Sequence, residues 1–247
     1  MYTLKYVAPD GVVFPLIGGP YGAVFVRDGG LESLVASFED TGVQAAGHAG
    51  RRVDWRDRLV KELTGALTVV VRDPALWPGF ARAFHSRRHG TLVLDGGALG
   101  PMRLSVRLAA PIGPPSMQPK PGTEVQVSLV ADDGVWVQSH TGTGNVTVTN
   151  YGDVPIWPSV EWDGAGGQVK LPSGATFTLP AVTGRHSVSL SRLDGGEVVD
   201  ARGRVDQGLT DKAGALSESV PVDFSRTFSV PTGARLSWSV GYFSPWR

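Results

Sequence analysis

Two prolines, Pro155 and Pro158, constrain the middle of this chain more than any other feature. Each removes a backbone N–H donor, so the Ile156-Trp157 pair between them suits a corner or an edge strand, not a sheet interior. On one side, Val146-Thr147-Val148-Thr149 alternates apolar and β-branched polar residues, the pattern of a half-buried strand. Asn150-Tyr151-Gly152-Asp153 then reads as a turn that uses the positive φ these residue types tolerate. On the other side Ser159-Val160-Glu161-Trp162 resumes the alternation, and Asp163-Gly164 is a hairpin-type turn signal.

The rest of the chain is written in the same grammar. Its 33 glycines and 18 prolines follow no collagen-like period, so they punctuate many short strands, the mark of an all-β protein. With 247 residues, the prior is one large β domain or two ordinary ones. The pattern predicts two: residues 1–139 with one short helix, and residues 140–247 as a β-sandwich, separated in the small polar stretch Ser139–Gly144. Strands are expected at 2–7, 12–16, 21–27, 91–95, 102–109 and 124–130, with a strand pair in 59–72. Residues 31–40 fit strand or helix and are read as strand because they are short and end in Asp40-Thr41-Gly42. Beyond the corner, strands are expected at 168–171, 176–179, 187–193, 197–200, 221–228 and 235–241, with a polar, mobile loop over 203–219.

The expected helix starts at Asp73 as N-cap with Pro74 in its first turn. Leu76, Trp77, Phe80, Ala81, Ala83 and Phe84 recur near the helical period, and Arg87, Arg88 and His89 suit a C-terminus closed by Gly90. Pro78 makes its first turn irregular. Residues 110–122 carry five prolines without periodicity. They read as a long loop inside the first domain, with a linker or an arm lying on a neighbouring subunit as alternatives.

Lys+Arg and Asp+Glu both number 23, a balance that argues against a nucleic-acid binder. The absence of cysteine excludes disulfide scaffolds, thiolate metal sites and cysteine nucleophiles. Neither a signal-type apolar run near the N-terminus nor a membrane-length apolar stretch is present, which predicts a protein made in the cytoplasm that leaves it only by lysis. Asn145-Val146-Thr147 matches a glycosylation acceptor, without weight where no secretory route exists.

Candidate chemistry is sparse. His85 and His89 stand four apart on the expected helix, as in a zinc pair, but Ser86, Arg87 and Arg88 do not complete a ligand set, and capping or surface packing accounts for both. Asp153, Glu161 and Asp163 cluster with Trp157 and Trp162, which is the raw material of a glycosidase pair with sugar-stacking aromatics. Turn aspartates and a solvent-facing glutamate explain the same residues more simply. Sugar stacking on Trp157 or Trp162 without catalysis is the stronger form of the idea. His140 and His186 lack a serine-and-acid setting, and no phosphate or dinucleotide fingerprint occurs. Arg51–Arg58 and Arg82–His89 read as solvated faces or subunit salt bridges. No catalytic residue, metal ligand or cofactor is assigned.

The corner, with Asn150, Gly152, Asp153, Pro155, Trp157, Pro158 and Gly164, resembles the entry to the C-terminal domain of distal tail proteins from long, non-contractile-tailed phages. Other stretches resemble the same family in order. Gly50–Trp55 followed by Leu63-Thr64-Gly65-Ala66-Leu67 is similar to its Gly-rich turn and L-x-G-x-L strand. Ala131–Trp136 is similar to its A-x-D-P-x-W ending, with Gly134 in place of proline, and Phe228–Gly233 to its closing turn. The resemblance implies an N-terminal ring-forming domain and a galectin-like C-terminal sandwich. It implies a homohexameric ring at the virion tail tip, assembled in the host cytoplasm, that joins the tail-tube protein to the tail-associated hub protein. Tape-measure and receptor-binding proteins are further implied partners. The alternative function is a carbohydrate-binding module for host-surface adhesion, and a hydrolase relying on Glu161 is the third.

Overall fold

A computed structural model describes residues 2–20, 22–54, 58–98, 100–113 and 119–246. Among these the protein is mainly β, with two short helices. It divides into two compact units: Met1–Val137 with Tyr242–Arg247, and Gln138–Gly241. The closing residues thus belong with the first unit and not with the corner that precedes them.

In chain order, the first part holds β1 (Thr3–Val7), β2 (Val13–Ile17), β3 (Val24–Val26), β4 (Phe38–Glu39), β5 (Gly42–Val43), β6 (Arg52–Val53), β7 (Leu59–Val60) and β8 (Leu63–Val71). Helix α1 (Trp77–Arg82), β9 (Gly90–Asp95), β10 (Met102–Leu108), β11 (Glu124–Ala131) and β12 (Trp136–Gly142) follow. Strands β2, β1, β9 and β10 pair antiparallel in that order, and β10 continues into β11, β8 and β3. Alternation puts Leu4 and Tyr6 of β1, Leu63, Leu67 and Val69 of β8, and Leu104 and Val106 of β10 into the core.

The helix is shorter than its sequence pattern suggests. Asp73-Pro74 does not start it: Asp73 Oδ1 accepts from Ala75 N at 2.9 Å, and its carbonyl accepts from Leu76 N at 3.2 Å, closing a turn. The helix proper begins at Trp77 because Pro78, lacking an N–H, is tolerated only in the first turn. It ends at Arg82, so residues 85–89 lie beyond it, and Gly90 is the first residue of β9. Glycine is required there because a Cβ would fall inside the Tyr6 ring. That ring stacks on Phe84 at 4.0 Å, and its hydroxyl donates to Ala83 O at 3.1 Å.

Residues 31–40 are not a strand except at Phe38–Glu39. Leu31 and Leu34 are both buried in a turn closed by Leu34 N donating to Leu31 O. Gly65 of β8 makes the room: a Cβ there would stand 2.7 Å from Ser33 O and 2.8 Å from Leu34 Cδ2. The third strand is trimmed to Val24–Val26. The proline-rich segment joins β10 to β11, which pair with each other, so it is a connection within one unit; its residues 114–118 lie outside the described ones. Ser139–Gly142 are not a linker but the end of β12, and the turn is Thr143-Gly144, with Gly144 at φ 70.

The second part holds β13 (Asn145–Thr149), β14 (Ser159–Gly164), β15 (Gly167–Lys170), β16 (Thr176–Leu179), β17 (Val182–Ser189), β18 (Val198–Asp200), α2 (Gln207–Ala213), β19 (Ser225–Ser229) and β20 (Ala234–Tyr242). Two antiparallel sheets form, β13-β19-β15-β16 and β18-β17-β14-β20. Val146, Val148, Val169, Phe177 and Phe228 from one, and Val160, Trp162, Val188 and Leu236 from the other, are buried, giving a β-sandwich. Strand β17 begins earlier than expected because Gly184, at φ 81, interrupts the residue pattern without ending the strand.

Helix α2 lies where a loop is expected. Asp206 caps it, its Oδ1 accepting from Leu209 N at 3.0 Å, and Gly214 closes it at φ 52 with its N–H donating to Thr210 O. Only Ala213 of the helix is buried, so no apolar stripe announces it.

Candidate functional site

The corner is built on Asn150, which is fully buried. Its Nδ2 donates to Val154 O at 2.9 Å and Val220 O at 3.0 Å, and its Oδ1 accepts from Gly152 N at 2.9 Å. Its backbone N–H donates to Phe224 O, and its carbonyl accepts from Asp223 N. One side chain therefore ties the corner to the segment before β19. Ile156 and Val220 exchange both backbone bonds, which places the residue between the prolines on an edge bridge.

Asn150–Asp153 form a bend, but not for the expected reason. None of the four has positive φ. Gly152 is demanded by space: a Cβ would stand 2.5 Å from Gly241 O and 2.7 Å from Val240 Cγ1, while Asp153 N donates to Gly241 O at 2.8 Å. Gly164 does adopt a positive φ, 86. Pro158 is buried and its carbonyl accepts from Leu190 N; Pro155 is exposed.

The aromatic candidates separate. Trp162 is only 2% exposed and its Nε1 donates to Pro180 O at 2.9 Å, so it belongs to the core and is no stacking platform. Trp157 is half-buried, with the Arg192 guanidinium 5.9 Å from its ring centroid. Glu161 and Asp163 line a shallow cleft of about 200 Å³ together with Arg185 and Arg235, which balance their charge. Asp163 Oδ1 accepts from Gly184 N, a turn role, and Asp153 sits away at the corner. The three carboxylates are not assembled into one site.

His85 and His89 are not on a helix and do not face one ligand. His85 Nε2 meets Arg88 at 2.9 Å, and His89 Nε2 meets Asp132 at 2.7 Å. Asp132 also takes both arms of Arg107 at 2.7 Å, and that guanidinium, with His89 second, holds its carboxyl well below the usual range. His140 stacks on Trp238 at 5.6 Å, and His186 Nδ1 lies 2.9 Å from Gly184 O.

The Ala131–Trp136 stretch shows why its glycine departs from proline. Gly134 has φ 70, which proline cannot adopt, and a Cβ there would collide with Lys61 O. Trp136 is buried, its Nε1 donating to Leu34 O at 2.8 Å.

Surface outside the corner carries the features that sequence reasoning missed. Strands β4 and β7 pair, as do β5 and β6, forming a narrow ribbon over 38–54 and 58–60 in which no described residue is buried and all but Asp40, Val53, Arg58 and Val60 are exposed. Val43 is 77% exposed and Leu59 61%. Strands of two residues carry no alternation, so no residue pattern signals the ribbon; Trp55 lies outside the described residues. Val12, Val13 and Leu76 are exposed beside a cleft of about 530 Å³ that Phe14 and Pro15 also line, at the free edge of β2. Among the described residues no cluster of metal-ligating side chains occurs and no helix is long and apolar enough to cross a membrane.

No protein-family model matches the sequence, and no curated protein matches it. Among solved structures, the chain is similar to the crystal structure of SPP1 Dit (gp 19.1), a paradigm of the hub adsorption apparatus in phages infecting Gram-positive hosts. The likeness has a TM-score of 0.55 and covers 98% of this chain and 99% of that one at 13% identity. The chain therefore shares the fold of SPP1 Dit over nearly its whole length.

Proposed function

We propose that this protein is a structural component of a phage tail tip: a distal tail protein forming a ring that joins the tail tube to the tail-tip hub and anchors host-recognition proteins. The observation that carries this reading is the end-to-end likeness of fold to SPP1 Dit, in which neither chain has a large part left over. The proposed domains are residues 1–139 for the ring and 140–247 for the outward-projecting, galectin-like sandwich, with the closing residues from Tyr242 returning to the first unit. The proposed partners are further copies of the chain in a six-membered ring, the tail-tube protein and the hub protein. Tape-measure and receptor-binding proteins come second, and the proposed location is the virion tail tip after assembly in the host cytoplasm.

The surface supports an assembly role physically. The ribbon and the free edge of β2 present backbone and apolar groups of the kind that strand pairing or a cyclic interface covers. The carbohydrate reading loses Trp162 to the core, and Trp157 keeps only part of its ring open. Light scattering with negative-stain imaging of the purified chain tests the proposal. Closed rings, about six subunits by the expected symmetry, support it. A chain that stays monomeric alone and when mixed with tube and hub proteins overturns it.

A further inference from the structure

The ribbon is narrow, yet its root is held firmly. Phe38, where β4 begins, stacks on Phe243 with ring centroids 5.0 Å apart and planes inclined by 24°. Ala36 N donates to Phe243 O at 2.8 Å. The Arg58 guanidinium lies 4.0 Å from the Phe38 centroid and 5.8 Å from that of Phe243, so one cation covers both rings. The same guanidinium forks onto Asp40, at 2.6 and 3.2 Å, where the two side chains are 21% and 14% exposed. Lys61 N closes the root by donating to Ser37 O. Both legs of the ribbon are thus clamped at one place, and the clamp includes a residue from the far end of the sequence.

A two-stranded ribbon is marginal by itself. What gives this one a direction is its root, because among the described residues β5 and β6 pair only with each other. Trp246 meets Tyr2 edge-on at 5.5 Å, so the segment carrying Phe243 is itself fastened to the first unit. We infer that residues 242–246 are a latch that fixes the root of the 38–60 ribbon and sets the direction in which it leaves the first unit. The latch residues follow 138–241 in the chain, so the ribbon is aimed only after the whole second unit has been synthesised. Naming the ribbon's target as another copy of the chain rests on the proposed assembly role; the latch itself does not.

The test uses the full chain with Phe243→Ala, and with Phe243→Leu as the variant that keeps apolar bulk but loses the ring. Amide hydrogen exchange is read across 36–54 under dilute, monomeric conditions, together with trypsin cleavage at Arg51 and Arg52. The latch predicts exchange and cleavage in the ribbon faster by about tenfold, the factor that corresponds to ~1.4 kcal/mol. Exchange in β8, β11, β14 and β17 is expected to stay unchanged. Ribbon protection equal to that of the native chain in both variants overturns the inference. So does loosening that spreads equally through β8 and β11, since that is general destabilisation. If the native chain forms no rings while the ribbon loosens as expected, the latch stands and the ring proposal falls. If rings form and the ribbon is unaffected, the reverse holds.

Discussion

The side-chain amide of Asn150 donates to the carbonyl of Val220 at 3.0 Å, across 70 residues of chain, in a site from which solvent is excluded. The same nitrogen serves Val154 O, so its two protons hold two backbone carbonyls on different segments of the second unit. Asn150→Ala takes the side-chain donor from Val154 O and the acceptor from Gly152 N, and leaves Val220 O with only its bond from Ile156 N; it is expected to destabilise the second unit by about 2–3 kcal/mol. Asn150→Asp should be worse at neutral pH, because a carboxylate faces two carbonyl oxygens. Burial without a donor raises the folded-state pKa of that new carboxyl, so stability is greatest in acid and is lost as pH rises. Denaturant unfolding of this variant at pH 4 and pH 7 checks the sign. Equal loss at both would mean that the site admits water.

Gly152 gives a second, separable prediction. Its φ is ordinary, so Gly152→Ala costs nothing in backbone strain, and the whole penalty comes from Gly241 O and Val240 in the space a methyl group needs. The expected loss is about 1–3 kcal/mol, the range for overpacking. Gly164→Ala is the contrast: nothing lies within 4 Å of its Cβ position, but φ is 86, so only strain is paid, about 1 kcal/mol. Val240→Ala should rescue part of the first variant and none of the second. A double-mutant cycle measures this directly.

These two glycines also mark what a reader of the sequence sees and does not see. Alternation is a local property, so most of the strands from Thr3 to Ala131 and from Asn145 to Tyr242 stand where period-two patterning puts them. Which glycines are there for φ and which for space depends on partners far away, as Gly241 is from Gly152 and Tyr6 is from Gly90. Asp206 and Gly214 signal α2 clearly at its ends, but a helix with one buried residue has no stripe to connect them. Trp162 has polar neighbours in Glu161 and Asp163, but its own position on the alternation puts it inside. The ribbon was invisible because its ladders are two residues long and its clamp residue, Phe243, belongs to the other end of the chain.

Tyr6 predicts an alkaline limit for the first unit. Its ring is packed on Phe84, and burial, with the negative charge of Asp10 adding to it, pushes the phenol up to about 12. The unfolded chain ionises this group near its ordinary value of about 10. Stability from the buried neutral phenol is therefore fully present below about pH 10 and is lost as pH rises towards 12, by roughly 2–3 kcal/mol in all. Tyr6→Phe removes that pH dependence. It also forfeits the bond to Ala83 O, about 1 kcal/mol at neutral pH. The native chain should be the more stable of the two at pH 8 by about 1 kcal/mol and the less stable at pH 11.5 by a similar amount, so unfolding curves at the two pH values should exchange their order. Parallel curves would place the alkaline limit elsewhere.

Trp136 closes the first unit on the turn that replaced an expected strand. Its indole N–H reaches Leu34 O at 2.8 Å across 102 residues, and both residues are buried. The geometry depends on Gly134, whose positive φ carries the chain past Lys61 O and delivers the indole to Leu34. Trp136→Phe keeps an aromatic ring but leaves Leu34 O unpaired beside a small cavity, an expected loss of about 2–4 kcal/mol. Gly134→Pro should cost at least as much, since the ring fixes φ near −65° where about +70° is needed. The two effects should not add, because each removes the same bond. A double variant no less stable than Gly134→Pro alone supports that coupling, whereas full additivity would mean that the turn and the indole act independently.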